Sequence, residues 1–179
     1  MKKSTGLLTL VALLFLLSAC GGKGGAGPEP DWGFANEGIR LLLKSDANLN
    51  SFSGMPHTLH ICIYQLEDPN AFNQLSGDEA GLTILLGCST FDPSVTGFKS
   101  VTVQPGQQLT VTLDRAEGTR YVGIAAGYYT LERDRIIRLE KIPASIKRTF
   151  TLKKYAVAEP LDLKVMLGAQ QIETVEANP

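Results

Sequence analysis

After residue 38 the chain alternates apolar and polar positions with a period of two. Ile39, Leu41 and Leu43 alternate with Arg40, Leu42 and Lys44, and Leu59, Ile61 and Ile63 alternate with His60, Cys62 and Tyr64. Leu161, Leu163, Val165 and Leu167 do the same with Asp162, Lys164 and Met166. Successive side chains of a strand point to opposite faces, so each run predicts a strand with one face inward. Val101 and Val103, then the turn pair Pro105-Gly106, then Leu109, Val111 and Leu113 predict a hairpin. Ala116-Glu117-Gly118-Thr119 predicts a turn ahead of Tyr121–Tyr129, a run apolar on both sides as in a central strand. Phe150 and Leu152 predict one more short strand. About eight strands separated by turn signals imply a mostly β protein, a β-sandwich.

Residues 68–86 follow another period. Asp68-Pro69-Asn70 offers capping chemistry, Phe72 and Leu75 are three apart, and Leu82, Leu85 and Leu86 recur at helical spacing. These positions predict a short helical insertion, at about 68–88, after the second of the strands above. Asn48–Pro56 (NLNSFSGMP) is rich in turn formers and reads as a loop.

The first 38 residues belong to no such pattern. Met1-Lys2-Lys3 is basic, and Leu7–Leu17 is an apolar run too short to cross a bilayer: at 1.5 Å per residue it reaches about 16 Å, roughly half a hydrocarbon core. It reads as the h-region of a secretory signal. Leu17-Ser18-Ala19-Cys20 resembles a bacterial lipobox, which predicts cleavage after residue 19 and lipidation of the Cys20 thiol and amine. Several acyl chains anchor stably, since each buried methylene contributes about 0.8 kcal/mol. Gly21 is not the aspartate associated with inner-membrane retention, which favours an outer-membrane lipid anchor with the domain facing the periplasm. Residues 20–38, with glycines at 21, 22, 24, 25, 27, 33 and 38, read as a lipidated tether, leaving 39–179 as one periplasmic domain.

Composition narrows the function. Seventeen Lys and Arg against 18 Asp and Glu give a net charge of −1, no footprint for nucleic acid. The chain has two histidines, and no Gly-x-Ser-x-Gly elbow, phosphate-cradling loop or His-Glu-x-x-His motif, so no enzyme class is indicated. His57, His60, Cys62 and Cys88 are zinc-ligand types, but their spacing matches no ligand motif and His57 has the wrong parity for the face of His60 and Cys62. The reading is strand-surface histidines, no metal and no cofactor beyond the lipid. With Cys20 acylated, Cys62 and Cys88 are the two thiols left in an oxidising compartment. They either form a disulfide that pins the insertion to the second strand or remain two small buried hydrophobes.

The lipobox, the Gly/Pro tether, Asn48-Leu49-Asn50, Leu59–Leu66 ending in Tyr64-Gln65-Leu66, the insertion with Phe72 and Leu75, Gln104-Pro105-Gly106 and Tyr121–Tyr129 come in an order that resembles the TssJ (SciN) family of outer-membrane lipoproteins of the bacterial type VI secretion system. The resemblance spans about residues 17–167 and rests on order and spacing. It implies a transthyretin-like β-sandwich and a structural role: holding the periplasmic C-terminal domain of TssM, and through it TssL, at the outer membrane. The loop between the first two strands is the family's contact, which points to Leu49, Asn50, Ser51, Phe52 and Met55 here. Leu49 and Phe52 either meet the partner or fold back onto the sandwich edge. An alternative function is a ligand-binding lipoprotein with a pocket between the sheets and the insertion. Enzymes on the transthyretin scaffold, the hydroxyisourate hydrolases, end in Tyr-Arg-Gly-Ser, which is absent here; no small-molecule substrate is expected.

Overall fold

The computed structural model describes residues 28–177. The expected signal segment, 1–19, and the expected lipidation site, Cys20, lie outside the described residues. Among the described residues no helix is long and apolar enough to cross a membrane.

Two four-stranded sheets face each other. One has the order β11(Ile172–Ala177), β10(Leu161–Leu167), β2(Ala35–Ser45), β5(Gln108–Arg115); the other has β4(Val95–Val103), β3(Leu59–Leu66), β6(Tyr121–Ala126), β7(Ile137–Lys141). The alternating residues of β2, β3 and β10 point into the interface: Ile39, Leu41, Leu43, Leu59, Ile61, Ile63, Leu163 and Val165 are almost fully removed from water. β2 and β10 run parallel, with Leu41 opposite Leu163, while the remaining pairs of both sheets are antiparallel. A third, small sheet stands apart: β1(Pro30–Asp31), β9(Lys154–Ala158) and β8(Ala144–Arg148).

The insertion forms two helices, α1(Asn70–Leu75) and α2(Glu79–Leu86), with the Asp78 carboxylate capping α2 through the Gly81 amide at 2.7 Å. They cover the outer face of the second sheet, which explains why β3 is buried on both sides. Tyr64 donates its hydroxyl to the Leu85 carbonyl at 2.6 Å, and Phe72 lies so close over Gly123 that a Cβ there would meet its ring at 2.7 Å.

Several expectations need correction. Pro105-Gly106 does not close a hairpin: β4 pairs with β3 and β5 with β2, so the turn carries the chain from one sheet to the other. Ser45 holds this arch, its hydroxyl 2.6 Å from the Gln104 carbonyl and 2.8 Å from the Gln107 amide. Phe150 and Leu152 are not in a strand. They lie in the tip joining β8 to β9, where Leu152 has φ +62° and donates its amide to the Thr149 carbonyl. The strands among the described residues number eleven: β1, β8, β9 and β11 carry no clear apolar alternation, and that of β7, Ile137 and Leu139 against Arg138 and Glu140, is only five residues long. The chain from residue 28 is not free tether: β1 pairs with β9, and Trp32 packs on the core between the guanidinium groups of Arg115 and Arg120, each 6.0 Å from its ring centre. Ahead of β7, Arg133–Ile136 makes one helical turn, α3.

Candidate partner-binding site

The loop between β2 and β3 is built from the inside out. Leu49 is fully buried, and its carbonyl accepts the His57 amide at 2.9 Å, closing the base of the loop. Asn50, also buried, takes the left-handed backbone (φ +48°) that asparagine tolerates better than most residues. Its side-chain amide donates to the Thr58 carbonyl at 2.9 Å, and its side-chain oxygen accepts the Tyr129 amide at 3.1 Å. The Ser51 amide reaches the Ala169 carbonyl at 2.7 Å, so the loop is also fastened to the segment between β10 and β11.

Beyond this base the chain makes a miniature hairpin. Phe52 and Met55 exchange backbone hydrogen bonds at 3.0 Å, and the residues between them, Ser53 (φ +50°) and Gly54 (φ +77°), both take positive φ as in a type I′ turn. Nothing lies within 4 Å of a Cβ placed on Gly54, so the tip stands clear of the body. The turn presents Phe52 (53% exposed) and Met55 (60%) side by side. Tyr129 completes the surface: its ring stacks on Phe52 with centroids 4.5 Å apart, and His57 meets it edge-on at 5.2 Å. Tyr128, its neighbour, points inward and donates its hydroxyl to the Gln171 carbonyl at 2.8 Å. Burial holds that phenol well above its ordinary pKa, so it remains a neutral donor.

The five residues expected in this site therefore divide. Phe52 and Met55 face outward, and Ser51 is half-buried at their foot. Leu49, with no exposed surface, is corrected to a bracing residue, and Asn50, 6% exposed, spends its side chain on the loop's own hydrogen bonds. Tyr129 escaped the sequence reading. It falls in a run that looks like continuous strand, yet two adjacent tyrosines cannot both face inward, and that parity was the available signal.

Cys62 and Cys88 are joined as a disulfide across 26 residues, tying the end of α2 to β3. His60 sits against the pair, Nε2 3.4 Å from Cys62 Sγ and 3.3 Å from Cys88 Sγ, and 3.2 Å from the Leu86 carbonyl. These three are near enough to share a metal ion, but with both sulfurs bonded to each other His60 alone keeps a free ligand atom. His57 is elsewhere, against Tyr129. The space between the second sheet and the insertion, where a ligand pocket was the alternative, is filled by Tyr64, Phe72, Leu82 and Leu85. A cleft of about 500 Å³ lies instead beside the small sheet, lined by Trp32, Arg120, Lys141 and Ile146 among others.

Residues 37–169 match the model of a family described as type VI secretion lipoprotein, VasD, EvfM, TssJ. Among solved structures, the type VI lipoprotein TssJ1 of Pseudomonas aeruginosa superposes with a TM-score of 0.62 at 24% identity, covering 79% of this chain and 95% of that one. Lip of Serratia marcescens, described as a membrane-bound component of the type VI secretion system, gives 0.57 at 18% identity over 79% and 96%. A chain in a structure described as the TssM C-terminal domain from EAEC gives 0.56 at 17% over 79% and 97%. At these identities the likeness speaks to the fold. No curated protein sequence matches the chain.

Proposed function

Since the chain belongs to the type VI secretion lipoprotein family, whose members are secretion components and not enzymes, we propose that it is the lipid-anchored adaptor that holds the periplasmic C-terminal domain of TssM at the outer membrane. TssL is then engaged only indirectly, through TssM. The observation that carries this reading is the Phe52–Tyr129 stack: two aromatic rings kept in water on a tip whose base is locked by Leu49 and Asn50. Exposed aromatic anchors in a preformed setting are the residues on which binding energy concentrates. Ser51, Ser53 and Gln170 line the same shallow cleft as the two rings and supply polar groups there, as a rim would.

The mechanism is mechanical, and no bond is made or broken. Acyl chains on Cys20 resist extraction, and the sandwich passes the load to the partner. Its strands are suited to that task, because β2 and β10 pair along seven successive residues, Leu161–Leu167 against Ile39–Ser45. The disulfide stiffens the side bearing the insertion. The test is palmitate labelling with fractionation: the wild-type chain should take up label and float with outer-membrane vesicles, and Cys20→Ala should do neither. An unlabelled, freely soluble wild-type product would overturn the anchor.

A further inference from the structure

The β8–β9 hairpin carries a second exposed surface, apart from the Phe52–Tyr129 tip. Residues 144–158 hold four of the chain's 17 basic residues (Lys147, Arg148, Lys153 and Lys154) and none of its 18 acidic ones. Lys147 pairs with Glu159 at 3.2 Å; the other three form no ion pair among the described residues. At the tip between them Phe150 is fully exposed and Leu152 is 78% exposed. The tip is closed on itself, with the Thr149 amide bonded to the Lys153 carbonyl at 2.9 Å and the Leu152 amide to the Thr149 carbonyl at 2.9 Å. Leu152 is held at φ +62°, a conformation costly for a branched apolar residue, with its side chain in water.

Topology says what lies beside this tip. β1 runs parallel to β9, with Pro30 opposite Ala156 and Asp31 opposite Val157. Because the pairing is parallel, β1 starts on the side of β9 that begins at Lys154, beside the tip. Cys20 lies ten residues before Pro30, at most about 35 Å of extended chain. Whatever surface holds the acyl chains is thus within reach of the tip.

We propose that the β8–β9 tip is a second membrane contact, with Phe150 and Leu152 entering the interface of an anionic phospholipid leaflet and Arg148, Lys153 and Lys154 on its headgroups. The inference rests on the acylation of Cys20 for the choice of membrane, not for the chemistry of the tip. Apolar side chains ringed by cations match that interface, where acyl boundary and negative charge adjoin. Docking there would fix the orientation of the sandwich, which a tether alone leaves free.

The test uses the full acylated chain in vesicles of phosphatidylethanolamine and phosphatidylglycerol containing bromine-labelled lipids. Phe150→Trp adds an indole reporter at a site with no packing to disturb, and the wild type, with Trp32 alone, supplies the baseline. We expect the emission of the added indole to fall at least about twofold with bromines near the headgroup end of the acyl chains, the depth reached by interfacial segments. Replacing Arg148, Lys153 and Lys154 by Gln should relieve that quenching. Vesicle flotation, read in parallel, reports the Cys20 anchor separately. Flotation without quenching overturns the tip contact and leaves the anchor standing; the loss of both overturns both. Blue-shifted emission from the added indole that bromines do not quench would place a protein on the tip, and would overturn the lipid assignment.

Discussion

Two apolar tips leave opposite ends of the same sheet, and they are held in opposite ways. Tyr129 and the Phe52 turn lie beyond Ala126, where β6 ends; the β8–β9 hairpin continues from Lys141, which pairs with Tyr121 where β6 begins. The first tip is rooted in the core through Leu49, Asn50 and the Asn50–Tyr129 bond, so its rings are presented in one fixed arrangement. The second stands on a three-stranded sheet outside the sandwich, with its apolar residues surrounded by cations. A preformed aromatic surface suits one specific protein partner, because little ordering is left to be done on binding. A charged apolar tip on a small sheet suits a surface without defined shape. The contrast implies that substitutions at the foot of the first tip should spread into the fold, and that substitutions at the second should not.

The largest difference should come from the two leucines. Leu49→Ala removes a fully buried side chain and should cost about 3 to 4 kcal/mol in chemical denaturation, loosening the partner tip as well. Leu152→Gly should leave stability unchanged or raise it by up to about 1 kcal/mol, since glycine relieves the positive φ and no packing is lost. If the two cost the same, the tips are not differently rooted. Opening the disulfide by Cys62→Ser with Cys88→Ser should cost up to about 3.5 kcal/mol, the entropy of closing a loop of this length. That loss should appear as unfolding of the insertion side, with the Phe52–Tyr129 stack intact by near-ultraviolet circular dichroism. Spread of the loss to that stack would contradict the division.

How much of this was legible follows from where each element buries its side chains. β2, β3 and β10 line the core with every second residue, and their alternation marks them in the sequence. β8 and β9 line no part of the core, so Ala144–Arg148 and Lys154–Ala158 carried no signal, and Phe150 and Leu152 mimicked a strand merely by sitting two apart. The Pro105-Gly106 turn was visible but its partners were not: the same residues serve a hairpin or an arch, and the choice is made by sheet pairing far away along the chain. In the candidate site, apolar residues on a Gly/Ser-rich loop were evident, but which of them brace and which project depends on contacts with Thr58, Tyr129 and Ala169 that no local pattern encodes.

The central claim is that the Phe52–Tyr129 tip grips the periplasmic domain of TssM, and its most direct test is a calorimetric titration of that domain with wild-type chain and with Phe52→Asp. Phe52 is half in water, so the substitution should leave the unfolding transition in place. The affinity should fall by about 30-fold or more, the loss of a hot-spot side chain worth at least about 2 kcal/mol. An affinity equal to that of the wild type, from a variant equally well folded, would contradict the account.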